Sequence, residues 1–396
     1  MEAHERQLLA AVRAFVLQER APVLLAEQAD WDRMWRLARE QSVLPMAADA
    51  LADSTALPEA VRREAMLAVL AQVRAGDAFA RRYGALEQAG LAPLVVKGAV
   101  CRGLYPRPDL RPSSDEDLLA PPGQAAAVAA LLEREGMTVE NPGAEQVTVC
   151  HDSASGLHLE VHSTLFPVSS AAYGSWNRFF GDAFERRVFW KEARVWTLCP
   201  QDHLLYLILH SLKHFLHSGF GIRQVCDICL FTAAYGGDVD WDALTAALEQ
   251  VHGQLFFANL LAIGKEQLGI CGYPPRAEAW LEEMDTDCGD LLEDLLAGGV
   301  YGGSTEQRRH SSRITLNAVT GEGRTGPGRL LRTLFPRSRD LTGTYPWLRE
   351  RPWLAPVAWA DRILRYSRHS SGTAARESVS IGERRVALLK KYGLIS

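Results

Sequence analysis

Asp115 and Asp117 stand one residue apart at the head of a short apolar run, Leu118-Leu119. On a β-strand, residues i and i+2 point to the same face, so the two carboxylates would lie side by side. Carboxylates held that close repel unless they share a proton or a divalent cation sits between them. An all-oxygen site of this kind suits Mg²⁺, with Mn²⁺ as the alternative, the remaining positions being filled by water and substrate phosphates. A third carboxylate lies in Leu157-His158-Leu159-Glu160-Val161-His162, where strict alternation puts His158, Glu160 and His162 on one face and Leu159 and Val161 in the core. If the two strands are neighbours, Asp115, Asp117 and Glu160 converge as metal ligands and catalytic residues. Glu160, on the acceptor side, would deprotonate an attacking hydroxyl. Two cations about 3.5–4 Å apart would then clamp the attacking and leaving oxygens of a displacement at phosphorus.

The turn Lys97-Gly98-Ala99 follows the apolar run Leu94-Val95-Val96. A glycine at a strand-to-helix turn lets backbone approach a phosphate, and the first N–H groups of the helix are free donors. Lys97 is a point charge suited to the β- and γ-phosphates, and Arg111 would neutralise charge developing in transfer. Gly98, Ala99 and Ser114 join them as expected phosphate contacts. His162 is expected either to orient Glu160 or to serve a cross-strand structural role, with His158 flanking the same carboxylate. Further on, His210 and His214 are spaced i, i+4, which would suit a metal on one helix face, although no Glu follows the first His as in the protease motif.

These residues need strands to carry them, and the periodicity supplies strands only in the middle of the chain. Residues 1–55 show apolar spacing near 3.6, read as short amphipathic helices, and Leu57-Pro58-Glu59 opens a long helix that Gly90 stops. From Leu94 the reading is strand (94–96), helical turn (98–105), strand (115–120), helix (123–135), then strands at 147–150 and 157–162 joined as a hairpin. Helical periodicity returns near Pro200 and again over 241–251. Residues 302–328, rich in Gly, Ser, Thr and Arg, read as a mobile loop. Pro346-Trp347-Leu348 and Pro352-Trp353-Leu354 read as aromatic-anchored turns, followed by helices at 355–369 and 383–392. The expected fold class is therefore α+β: a small mixed sheet with helices (85–197), an N-terminal helical region (1–84) and a C-terminal helical domain (198–396).

The bulk numbers set the frame. The chain has 396 residues, 47% hydrophobic and 23% charged, ordinary for a globular protein. No apolar run reaches the ~20 residues of a membrane-spanning helix, and Met1-Glu2-Ala3-His4-Glu5-Arg6 has no secretory character. Seven cysteines without framework spacing fit a reducing cytoplasm, and Cys226-x-x-Cys229 reads as core thiols. The net charge of −5 is uneven: residues 301–396 hold 18 Lys/Arg against 7 Asp/Glu, leaving −16 on the rest. That basic segment either packs on an acidic body or presents arginines to an anionic ligand. It lacks the aromatic-interleaved grooves of a nucleic-acid binder.

The ordered set Lys-Gly, Arg, Asp-x-Asp, strand, Glu-x-His resembles the nucleotidyltransferase superfamily with the polymerase-β-like fold, and within it the bacterial group of uncharacterised nucleotidyltransferases. The resemblance takes in Leu104-Tyr105 and Leu198-x-Pro200-x-Asp202-His203, and includes His210, His214, Arg223, Asp227 and the closing Glu383-Arg384-Arg385 to Tyr392-Gly393. It implies transfer of a nucleoside monophosphate from an NTP such as ATP to a hydroxyl on a small molecule, sugar or peptide, with pyrophosphate released. It also hints that His210, His214, Arg223 and Asp227 line an acceptor groove, against a reading as satisfied structural histidines beside an Arg223–Asp227 ion pair. The chain departs from the superfamily in two places. Gly98-Ala99 replaces Gly-Ser, removing a hydroxyl contact to phosphate. Glu116 stands where an apolar residue is usual, so either the back of that strand is solvated or Glu116 pairs with a cation such as Arg102 or Arg134. A catalytically weakened nucleotide- or partner-binding module, resembling a toxin–antitoxin component, is the alternative function.

Overall fold

A computed structural model of the chain describes residues 1–140, 146–217, 219–298, 345–348, 350–361 and 372–395. The stretch 302–328, expected to be a loop, and most of the basic segment lie outside the described residues.

Four helices lead in: α1 (Ala3–Val16), α2 (Gln28–Glu40), α3 (Leu44–Ala50) and the 30-residue α4 (Glu59–Gln88). Pro58 caps α4 from outside, with extended φ/ψ, rather than occupying its first turn. The central sheet follows: β1 (Leu94–Val96), a short helix α5 (Gly98–Arg102), β2 (Glu116–Leu119), α6 (Ala125–Arg134), β3 (Thr138–Glu140), β4 (Val147–Asp152) and β5 (Leu157–His162). A separate two-stranded ribbon, β6 (Val188–Trp190) and β7 (Val195–Thr197), precedes the second helical group. That group comprises α7 (Pro200–Leu216), α8 (Ile222–Tyr235), α9 (Trp241–Glu249), α10 (Gln254–Leu268), α11 (Pro275–Glu282) and α12 (Gly289–Gly298). The C-terminal helix Gly372–Lys391 begins well before the 383 expected from sequence.

The five strands are ordered β1-β2-β5-β4-β3, antiparallel except for β2 and β5, which run parallel. The register sets Val96 opposite Asp117 and Asp117 opposite Glu160. The buried residues of β1 and the inward Leu157, Leu159 and Val161 of β5 belong to a single hydrophobic core that continues from Leu8 in α1 through α7–α12 to Leu394. Cys226 and Cys229 are buried free thiols in that core, as the sequence suggests. Among the described residues no helix is long and apolar enough to cross a membrane.

Some expectations shift. Three short strands, β3, β6 and β7, escape the periodicity. The two Pro-Trp-Leu turns exist as 3₁₀ turns, but Trp353 is 70% exposed and Trp347 38%. The small core there is built by Tyr345, Leu348, Ala355 and Ala358.

Candidate active site

Strand pairing makes the site. Because β2 and β5 are parallel neighbours in this register, Asp117 and Glu160 emerge side by side, and alternation brings His162 to the same face. Ligand atoms of Asp117, Glu160 and His162 lie within 4.8 Å of one another. The imidazole bridges them, its Nε2 at 2.9 Å from Asp117 Oδ1 and 3.3 Å from Glu160 Oε2. Burial opposes the charged ring, but its hydrogen bonds to the two carboxylates raise the pKa of His162 above the ordinary value. His158 shares the face but turns outward, stacking on His151 across the hairpin.

Asp115 falls outside this group. Alternation from sequence puts it on the strand beside Asp117, whereas β2 starts at Glu116 and Asp115 belongs to the segment before it. That segment is pinned from both sides: Arg111 to α8, and the Ser113 N–H to Gln72 Oε1 of α4 at 2.7 Å. Ser113 Oγ donates to the Asp115 carbonyl and Ser114 Oγ to its carboxylate, at 2.9 and 2.7 Å. Asp115 thus lines the cleft from the pre-strand turn.

Lys97 closes the arrangement from β1. Its Nζ lies 2.5 Å from Asp117 Oδ2 and 3.5 Å from His210 Nε2. Burial works against the ammonium, but Asp117 and Asp115 outweigh it and hold its pKa above that of an ordinary lysine. Burial likewise disfavours the Asp117 carboxylate, yet Lys97 and His162 pull its pKa well below the usual range. The Lys97 backbone sits at φ 60°, ψ −122°, uncommon for a residue with a side chain. A buried histidine holds it there: the Lys97 N–H donates to His203 Nε2 at 3.2 Å, and Thr197 Oγ1 lies 3.2 Å from His203 Nδ1 while donating to the Val95 carbonyl. Thr197 therefore accepts from Nδ1–H, and the ring is neutral. Burial lowers its pKa to about 3.

The Lys97-Gly98-Ala99 turn is built around Glu116. Glu116 is 4% exposed, ion-paired with Arg102, and accepts the Ala99 N–H at 2.7 Å. A Cβ on Gly98, whose φ is +21°, would lie 1.8 Å from Glu116 Oε2. The unusual acidic residue thus has its partner on the back of the sheet, and the glycine makes room for it. The Ala99 N–H, expected to face phosphate, is engaged by this carboxylate.

Across the cleft, Asp227 of α8 accepts two hydrogen bonds from Arg111, at 3.0 and 2.6 Å, and one from Tyr105 Oη at 2.8 Å. Arg223 is a looser neighbour at 3.9 Å. The ion pair expected between Arg223 and Asp227 is therefore chiefly Arg111–Asp227. Burial lowers the Arg223 pKa, and nearby Arg111 lowers it further. A cleft of about 640 Å³, open solvent at its mouth included, lies between these walls, lined on the sheet side by Lys97, Gly98, Ser114 and Asp115 and on the helical side by Arg111, His210, His214, Arg223 and Asp227.

His210 and His214 face each other at 3.2 Å between Nε2 atoms, and burial together with nearby cations keeps both rings neutral. Lys213, between them in sequence, was missed in the sequence reading. Burial lowers its pKa to about 8, and Lys97 adds to the effect. Tyr206 was also missed; it is buried, with its ring 5.4 Å from that of His210. Tyr206, His210, Lys213, His214 and His217 recur at helical spacing along one side of α7, and that polar stripe was the signal for both.

A nucleotide-transfer architecture is what this sheet, its carboxylates and its lysine describe. Residues 27–269 match the model of a family described as uncharacterised nucleotidyltransferase, and the chain belongs to that family. It is a nucleotidyltransferase. Among curated proteins no sequence matches the chain. One similar solved structure is an antigenic nucleotidyltransferase-like protein from Paracoccidioides brasiliensis, 13% identical, covering 54% of this chain and 94% of that one with a TM-score of 0.32.

Proposed function

We propose that the protein transfers a nucleoside monophosphate from an NTP to a hydroxyl of a small molecule, sugar or peptide and releases pyrophosphate. The observation that supports this most is the pairing of Asp117 with Glu160 across parallel strands, with Lys97 seated on Asp117 at the edge of the cleft. The donor set fits a hard divalent cation. Two carboxylates are the usual protein share for Mg²⁺, and His162, whose Nε2 lies against both of them, serves as a donor that orients them. Asp117 and Glu160, with Asp115 on the facing turn, would hold Mg²⁺ or Mn²⁺, which neutralises phosphoryl oxygens when bound.

The chain's own groups do the rest. Lys97, protonated and reachable from the cleft, exchanges its contact with Asp117 for phosphate oxygens of the incoming nucleotide. Arg223 and Lys213 add positive charge on the helical wall, where burial strengthens their pull on an anion. Glu160, 37% exposed at its side chain, is open to the acceptor and takes the proton as the hydroxyl attacks the α-phosphorus. His162 holds Asp117 and Glu160 in mutual orientation. Arg111, committed to Asp227, shapes the wall rather than meeting phosphate directly.

The test is pyrophosphate release with each NTP, Mg²⁺ or Mn²⁺ and an acceptor panel, beside thermal shift with nucleotide. At 100 times its dissociation constant a nucleotide stabilises the fold by about 2.7 kcal/mol. Release by the wild type that Asp117→Asn abolishes supports the proposal. A thermal shift without release for any acceptor overturns it in favour of a binding module.

A further inference from the structure

Helix α4 buries one face through Val61, Gln72, Phe79 and Tyr83 and leaves the opposite face open. On that face Met66, Leu67 and Leu70 are each 58% exposed and Val73 39%. Single exposed apolar side chains are ordinary, but four within two turns of one helix make a continuous patch.

The charges around this patch have a symmetry of their own. Arg63 and Asp77 lie seven residues before and after Leu70, and Glu59 and Arg81 eleven before and after; all four are exposed. At 3.6 residues per turn each of these offsets returns to within roughly 20° of Leu70, so the charges and the apolar patch form one stripe about 33 Å long. A two-fold axis through Leu70, perpendicular to the helix, exchanges residues equally spaced on either side of it. Antiparallel pairing of two such helices therefore sets Arg63 against Asp77 and Glu59 against Arg81, each twice, with Leu67 against Val73, Met66 against the stem of Arg74, whose Nε is held by the Ser155 carbonyl, and Leu70 against itself. Parallel pairing would set Arg63 on Arg63 and Asp77 on Asp77. Within its own chain Glu59 makes a loose 3.7 Å contact with Arg62.

We propose that the exposed face of α4 docks on the same face of a second copy of this chain, antiparallel, about a two-fold axis at Leu70. The contact is isologous, so one patch serves both subunits, and opposite charges at equal distances from the axis select the antiparallel register. One helix pair is small beside a typical stable interface, so the dimer is in equilibrium with monomer.

Sedimentation of the full chain over a concentration series tests this. The expected result is a reversible monomer–dimer equilibrium. Leu70→Glu, which sets two carboxylates face to face on the axis, gives monomer with an unchanged melting curve. Arg63→Asp and Asp77→Arg each raise the dimer dissociation constant roughly tenfold or more. Mixing those two variants restores both charge contacts and yields a heterodimer tighter than either variant alone. A wild type that stays monomeric up to its solubility limit overturns the proposal. So does a dimer indifferent to Leu70→Glu, or a mixture no tighter than its components.

Discussion

Asp227 lines the cleft and Asp117 binds Lys97, which lines it too; both carboxylates are buried, and they are held in opposite ways. Asp227 is saturated: a two-pronged guanidinium, a phenol and a second arginine surround it, and the group that grips it hardest, Arg111, is itself 1% exposed. Asp117 is equally buried, but its partners are a lysine and a histidine on the open side of the sheet. A guanidinium fork fits a carboxylate in one geometry and gives it up only at high cost, whereas an ammonium on a flexible stem can change partners. The helical wall is thus welded, and the sheet wall is poised for exchange. On the function proposed above, one cluster keeps the shape of the site and the other takes part in the chemistry.

This contrast can be broken by substitution. Asp117→Asn should abolish pyrophosphate release by roughly a thousandfold or more while leaving the melting temperature near that of wild type, checked by turnover and calorimetry on the same sample. Asp227→Ala should do the reverse in kind, stranding a buried Arg111 and costing about 3–5 kcal/mol in denaturant unfolding. If both variants lose stability equally, the two clusters do not differ as argued. Gly98→Ala, which drives a methyl into Glu116, should cost about 1–3 kcal/mol, and that increment should shrink when it is measured in a Glu116→Ala background, whose own cost is the stranded Arg102.

The pH dependence sharpens the comparison. His203 is neutral in the fold with a pKa near 3, so between about pH 6.5 and 3 the unfolded chain binds a proton that the folded chain refuses. Its contribution to stability is therefore complete above about pH 6.5 and is lost as pH falls through that window. A shallower acid limb in unfolding of His203→Gln would show this. The smallest expected effect belongs to Lys213. With its pKa near 8 it loses its charge as pH rises through 8, so nucleotide affinity should weaken there, and Lys213→Arg should flatten that slope in a titration of binding against pH.

Much of the placement of the candidate site on the sheet was legible, because strands write it directly. Alternation in Leu157–His162 puts Glu160 and His162 on one side, and the apolar run at Leu94–Val96 announces Lys97 at its end. The expected strand began one residue early, at Asp115, because the alternation was extended past the point where Ser113 and Ser114 bond locally and the strand begins. Three-residue strands such as β3, β6 and β7 carry too few alternations to be seen. The supports were out of reach for another reason. Gln72 with Ser113 and Arg111 with Asp227 join positions 41 and 116 residues apart, and no local pattern encodes such pairs. Of the two departures from the superfamily pattern, Glu116 pointed to its own support, since Arg102 was one of the two partners expected for it.

The continuity of the apolar interior has a practical outcome. Leu8, Val95, Leu159, Phe215 and Leu389 belong to one packed cluster, so the strands that carry the candidate site have no private interior to close around. Excised from their flanking helices, they would show bare greasy surface to solvent and precipitate rather than work as a minimal enzyme. Transplanting this chemistry into another scaffold would mean moving nearly the whole polypeptide.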